Sequence, residues 1–295
     1  MIKLQNVNFR YKNGKDVLKD INLEIKEGEF VSIIGKNGSG KSTMAKLISG
    51  LEKPNKGQVL VDEINTANKK SFLDIRRKVG IVFQNPENQI LFNNVFDDIA
   101  FTMKNLKIEN YKEKIEKALE KLNMKEFLNS EIYNLSLGQK QRVTIAGTVA
   151  QEPKYILLDE PTTMIDPEGK EAVYNTIKEL KKQNYTIIYI TNFIDEILMS
   201  DRVVVIEKGQ IIKTFAKKDI LENVDFLKEH EIKIPYGVEL VYELKKNGVN
   251  IEIQEWTKQE TMNKIVGAAI SRPNGINNVG ADDPVCPNNR KEENN

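Results

Sequence analysis

The sequence predicts an α/β fold built on a mainly parallel sheet, and three observations carry that reading. A short apolar strand, residues 30–34 (Phe30-Val31-Ser32-Ile33-Ile34), runs straight into a glycine-rich segment. Behind that segment Met44, Leu47, Ile48 and Leu51 recur at helical spacing. Two further strand-length apolar runs, 155–158 and 186–190, are separated by a helical stretch at 168–183. Strands that alternate with helices pair in parallel, because each crossover returns the chain to the same end of the sheet.

Before this unit, residues 1–9 and 17–25 alternate imperfectly between apolar and polar. Turn chemistry at Lys12-Asn13-Gly14 and at Glu27-Gly28 predicts antiparallel strands there. The first helix stops at Gly50 and Pro54. From about 88 to 150 the pattern is largely helical. Residues 111–124 set Ile115, Ala118, Leu119 and Leu122 on one face and charges on the other. Residues 203–207 and 210–214, turned by Lys208-Gly209, form a closing hairpin. The predicted organisation is a main domain over 1–215, with a helical subdomain at about 88–150, and a small α/β extension over 216–266. The last stretch, 267–295, reads as a disordered tail: seven Asn and three Pro fall in the 25 residues from Ser271 onward.

Composition narrows the function. In 295 residues, 44 Lys plus Arg nearly balance 43 Asp plus Glu. A net charge of +1 argues against a protein held to nucleic acid by bulk charge. No apolar run approaches the roughly 18 residues that span a bilayer. The one cysteine, Cys286, excludes an internal disulfide framework and points to a reducing compartment. The opening residues have no apolar core behind their basic residues, so they do not read as a signal peptide. Trp256 is assigned to packing alone.

The chemistry lies in the motifs. Gly35-Lys36-Asn37-Gly38-Ser39-Gly40-Lys41-Ser42, followed by Thr43, fits G-x-x-x-x-G-K-[ST] in the required strand-to-helix frame. Glycines let backbone N–H groups turn inward around phosphate oxygens, and the helix that follows presents its N-terminus to the anion. Lys41 reaches the outer phosphates and the Ser42 hydroxyl ligates Mg²⁺. The run Tyr155-Ile156-Leu157-Leu158-Asp159-Glu160 carries a carboxylate on an apolar strand to the same end of the sheet. Asp159 is therefore expected at the metal, and Glu160 at the attacking water.

Between these motifs stands Leu135-Ser136-Leu137-Gly138-Gln139, which resembles the L-S-G-G-Q signature of ATP-binding cassette ATPases. That resemblance implies a P-loop NTPase cassette and assigns further residues. Tyr11 stacks on adenine, Gln84 senses Mg²⁺, and Asp166, in Thr163-Met164-Ile165-Asp166, lies in the D-loop. Ser136, Gly138 and Gln139 bind the γ-phosphate held by a partner subunit. The stretch Val82-Phe83-Gln84-Asn85-Pro86-Glu87-Asn88-Gln89 is similar to the cobalt/nickel and energy-coupling-factor group of importers. What this implies is an ATP-hydrolysing subunit, peripheral to the inner face of the plasma membrane. It pairs with a second cassette and docks on a transmembrane scaffold that also receives a substrate-binding membrane subunit. The cargo is a vitamin or a transition-metal ion, and nucleic acid is not a partner.

Two departures from the family pattern matter. Leu137 replaces a signature glycine, which makes the local backbone less free. Asn192 stands where the family carries a switch histidine; its amide donates to phosphate but cannot accept a proton. We therefore expect a slowed site of its own and a different cassette as partner. The only histidine, His230, is expected to be an ordinary surface residue. Phe92, Phe96 and Phe101 recur near helical spacing and default to core packing, in the region where the family meets its membrane partner. Asp97 and Asp98 read equally as solvated charge or as a docking site. Three other functions stay open: another class of cassette transporter, a soluble cassette machine in repair or translation, and a small-molecule kinase. The soluble machines are disfavoured by the short interval between P-loop and signature and by the single P-loop. The kinase leaves the signature without a purpose.

Overall fold

The computed structural model describes residues 1–270, apart from 13, 193, 254, 255 and 257. In chain order the elements are β1 (Ile2–Arg10), β2 (Asp16–Ile25), β3 (Phe30–Ile34), α1 (Lys41–Ile48), β4 (Lys56–Val61), β5 (Ile64–Asn65), α2 (Phe72–Lys78) and β6 (Val79–Val82). The helical stretch follows as α3 (Val95–Asn105), α4 (Tyr111–Lys121) and α5 (Leu137–Ala150). Then come β7 (Tyr155–Asp159), α6 (Pro167–Lys182), β8 (Thr186–Thr191), β9 (Arg202–Glu207), β10 (Gln210–Ala216), α7 (Val224–Glu229), α8 (Tyr236–Lys246) and α9 (Lys258–Ile270).

Six strands form one sheet in the order β10-β9-β3-β8-β7-β6, parallel throughout except for the β9–β10 hairpin. Its central strands are buried on both faces, which is why they read as unbroken apolar runs. Along β7, Ile156 and Leu158 face the core formed with α3, α4, α5 and α6. Tyr155 and Leu157 face the other core, shared with α1, β1, β2 and β4. A second, antiparallel sheet has the order β2-β1-β4-β5. The imperfect alternation of β1 and β2 has a physical cause. Their pairing register shifts between Leu4 and Val7, and Asn6 and Asp20 sit at φ 49° and 48°, so the chain bulges and the side-chain phase slips.

Sequence periodicity missed β4 and β6. The first begins with exposed residues, and the second is only four residues long, too short to establish a period. The C-terminal extension, expected to be α/β, is helical: among the described residues beyond Ala216 no strand occurs. Residues 267–270, placed in the tail from composition, continue α9. Residues 271–295, including Cys286, lie outside the described residues. The chain divides into two compact units, Met1–Glu239 and a second that begins at Leu240. Among the described residues no helix is long and apolar enough to cross a membrane.

Candidate active site

Four neighbouring parallel strands end at one edge of the large sheet, and the chain leaving each delivers one part of the site. β3 leads into the glycine loop, β8 into Asn192, β7 into Asp159 and Glu160, and β6 into Gln84. Crevices outside the carboxyl ends of parallel strands are where such sheets bind ligands. Here a cavity of about 310 Å³ is lined by Val17, Gly40, Thr43, Gln84 and Glu160, with Asn37, Gly38, Lys41 and Ser42 of the loop.

The loop needs glycine at two of these positions for different reasons. Gly38 has φ +78° with open space around it, so its requirement is conformational. Gly40, at φ +108°, packs against β2, where an added Cβ would lie 2.6 Å from Leu18 Cδ2. Gly40 also N-caps α1, so that helix starts at the cavity with its amide groups facing inward. Lys41 is 4% exposed. Its ammonium donates to the carbonyls of Gly35 (2.8 Å) and Lys36 (3.1 Å). Burial lowers its pKa, opposed by the charges of Glu160 and Asp159.

Ser42 Oγ donates to Asp159 Oδ1 at 3.0 Å. The Asp159 carboxyl is pushed up to about 6, chiefly by burial and further by the charge of Glu160, against the Ser42 hydrogen bond and the charges of Lys41 and Lys46. A hydroxyl and a carboxylate 3.0 Å apart are hard oxygen donors that fit Mg²⁺, which takes one or two protein ligands and completes its shell with phosphate and water. Among the described residues no cluster of three or more His, Cys, Asp or Glu could hold a metal alone. When bound, the ion would neutralise phosphate charge, and Ser42 and Asp159 would hold it. Gln84 stands on the Glu160 side.

Glu160 is the meeting point. Its Oε1 accepts from Asn192 Nδ2 (2.6 Å), and its Oε2 from Gln84 Nε2 (3.1 Å) and Thr163 Oγ1 (3.2 Å). Its backbone sits at φ 50°, a left-handed conformation disfavoured for a side chain with a Cβ and held by Glu160 N–H donating to Ile190 O at 2.9 Å. Asn192 Nδ2 also donates to Asn37 Oδ1 at 2.7 Å. Both amide hydrogens thus point at protein oxygens, and a flipped amide would set its oxygen against a carboxylate. The expected hydrogen bond from Asn192 to phosphate therefore competes with two contacts already made. Thr163 and Asn37 as hydrogen-bond partners within this cluster were not foreseen, although both lie in motifs quoted from the sequence.

Other expected residues lie elsewhere. Tyr11 is partly exposed beside α1, its hydroxyl 3.3 Å from Thr43 Oγ1 and its ring edge-on to Phe9. Ser136 N-caps α5 in a reciprocal box with Gln139, and neither lines the cavity. Gly138 packs against α6: an added Cβ would stand 3.0 Å from Gly169 Cα. Leu137 is the first residue of α5, an ordinary helical position, so replacing glycine there strains nothing. Asp166 N-caps α6, accepting from Gly169 N–H at 3.2 Å.

Phe92 and Phe101, expected in the core, are 41% and 38% exposed and pack on each other with centroids 5.1 Å apart; Phe96 alone reaches the core. Asp98 Oδ1 accepts the backbone N–H groups of Leu91 and Phe92, which makes it a loop anchor. His230, far along the chain from Asn192, has Nδ1 2.7 Å from Glu207 Oε2.

A glycine loop leading from a parallel sheet, two carboxylates at the end of the next-but-one strand and a helix capped by Ser136 define a P-loop nucleoside triphosphatase of the cassette type. The chain belongs to the ABC transporter family, whose profile matches residues 18–163, and is an ATP-hydrolysing transport ATPase of that family. It is 43% identical over 267 residues to the energy-coupling factor transporter ATP-binding protein EcfA1 of Caldanaerobacter subterraneus subsp. tengcongensis, covering 88% of this chain and 96% of that one. It is 40% identical over 272 residues to EcfA1 of Clostridium novyi, covering 90% and 97%. Among solved structures, cbiO1 from Clostridium perfringens, part of the ABC transporter complex cbiONQ, superposes with a TM-score of 0.69 at 33% identity, covering 81% of this chain and 98% of that one. The bacterial ABC transporter cassette MJ0796, solved as a dimer, gives 0.66 at 33% identity, covering 74% and 99%.

Proposed function

We propose that this chain is one of two ATPase subunits of an energy-coupling-factor importer and drives uptake of a vitamin or a transition-metal ion. It does so from the cytoplasmic face of the membrane, docked on a transmembrane scaffold and a substrate-binding membrane subunit. Lys41, with Gly35, Lys36, Gly38, Ser39 and Gly40, holds the triphosphate. Ser42 and Asp159 hold Mg²⁺, Tyr11 stacks on the base, and Glu160, aligned by Gln84 and Asn192, takes a proton from the attacking water.

One observation carries the two-subunit reading. The cavity is lined by the glycine loop and the start of α1, by Val17 of β2, and by Gln84 and Glu160 beyond their strands, while Ser136 and Gln139 cap a helix and are not among the lining residues. A signature that does not line its own phosphate site is available to close another subunit's, with a helix N-terminus toward the anion. Purification from membranes in mild detergent, followed by mass spectrometry, is expected to recover a second, different cassette and two membrane proteins. Recovery of copies of this chain alone would sink the heteromeric reading.

Asn192 makes its own site slow, because its two amide hydrogens serve Glu160 and Asn37 and it cannot exchange a proton. Steady-state hydrolysis by Asn192→His in the assembled complex is expected to exceed the wild type by about tenfold, a fraction of the roughly 10²–10³ typical of a full transition-state donor. Equal rates would show that the asparagine costs nothing.

A further inference from the structure

Glu196 is 2% exposed, and among the described residues no basic side chain pairs with it. Three hydroxyls surround it instead: Thr162 Oγ1 and Tyr174 Oη donate to Oε1, the latter at 2.8 Å, and Thr191 Oγ1 donates to Oε2. The nearby Tyr189 phenol is raised well above its usual range, first by burial and then by the Glu196 charge. A carboxylate buried without a cation is costly, and an apolar side chain would fill the space more cheaply. What Glu196 adds is connectivity. Thr191 is the last residue of β8, directly before Asn192. Thr162 lies two residues after Glu160. Tyr174 belongs to α6, the helix capped by Asp166. The 2.6 Å contact between Asn192 and Glu160 is thus bracketed from behind by one side chain that grips both supporting segments.

We propose that Glu196 is a positioning residue for hydrolysis, holding Thr191 and Thr162 so that Asn192 and Glu160 meet. This rests on the reading of Glu160 as the group that takes the proton. A carboxylate accepts on both oxygens, an amide on one, so Glu196→Gln keeps the shape while forcing one of the hydroxyls to turn round. In the assembled complex its kcat is expected to fall about tenfold or more, the usual range for a residue that orients a reacting one. KM for ATP should stay within about twofold.

The decisive readout is a double-mutant cycle. In an Asn192→Ala background, Glu196→Gln should cost less than about threefold further, because the group it positions is gone. A purely structural role would instead give the full loss in both backgrounds, which overturns the proposal, as would an unchanged kcat. If Glu196→Gln fails to fold, Thr162→Val removes one donor at nearly constant volume and should give the same kcat-only loss at about threefold. Glu160→Gln is measured beside them: turnover that survives it removes the reading on which this rests. Its loss, with none in Glu196→Gln and Thr162→Val, overturns the positioning role alone.

Discussion

Glu160→Gln is expected to lower ATP turnover by about 10²–10⁴-fold, the usual worth of a positioned general base, while nucleotide affinity stays within about threefold. The affinity claim follows from position: Glu160 borders the cavity, but the groups proposed to grip phosphate are Lys41 and the backbone of the glycine loop. The structural claim follows from its partners. Asn192 Nδ2, Gln84 Nε2 and Thr163 Oγ1 all donate to the carboxylate. A glutamine keeps its oxygen toward Asn192 and presents NH₂ to the other two. Gln84 can flip its amide to accept, and the Thr163 hydroxyl can rotate to accept. The fold should therefore hold, with Tm within a few degrees. Steady-state phosphate release and equilibrium binding of a fluorescent ATP analogue check both halves. Equal turnover in the two proteins would require another base.

The second large effect is a pH-dependent stabilisation by Asp159→Asn. The Asp159 carboxyl titrates at about 6 in the folded protein, against about 3.9 in an unfolded chain. Below about pH 4 it is protonated in both states and has no influence. Between about pH 4 and 6 the unfolded chain gives up its proton while the folded one keeps it, so the unfolded state binds fewer protons and stability falls as pH rises. Above about pH 6 the full difference, about 3 kcal/mol, is lost from the wild type. The substituted amide would carry no charge to bury. In EDTA at pH 8 the variant should melt about 6–12 °C higher, since about 1 kcal/mol moves Tm by roughly 2–4 °C in a unit of this size. At pH 4 the two should coincide. Mg²⁺ and ATP together should narrow that gap, because the variant keeps the glycine loop but loses one of the two oxygen ligands proposed for the ion, so the wild type gains more stability from the added ligands. A variant that melts lower than wild type in EDTA at pH 8 would contradict a carboxylate held against its own burial.

Catalytic sites commonly store such costs, and this one holds two. One is the charge of Asp159 facing burial; the other is the backbone of Glu160 at φ 50°. Both sit at the end of β7, where the apolar strand between two cores delivers acidic residues to a water-accessible edge. That strand is rigid, because its neighbours β6 and β8 pair with it along its length, and a rigid strand can hold a strained terminus.

The parts of the molecule that were legible in the sequence are those whose information is contiguous. A strand buried on both faces announces itself as an apolar run. The glycine loop needs its spacing and flanks within one short stretch of chain. The signature pentad caps a helix, so its Ser and Gln sit three apart for reasons local to the turn. Elements with weak local signals escaped. β6 is four residues long, Phe92 and Phe101 have the spacing of core residues yet lie at the surface, and the extension beyond Ala216 showed no clean period.

By itself the sequence determined the class of fold, the phosphate loop, the acidic strand end and the family, because each is written in residues that adjoin one another. Only the tertiary structure decided which distant residues share hydrogen bonds. It put Asn192 between Asn37 and Glu160, left Ser136 outside the lining of its own cavity and closed three hydroxyls around Glu196. Those contacts join segments up to 155 residues apart, and they exist because parallel pairing brings strands from remote parts of the chain to one edge. Local propensity carries no record of which strand will lie beside which.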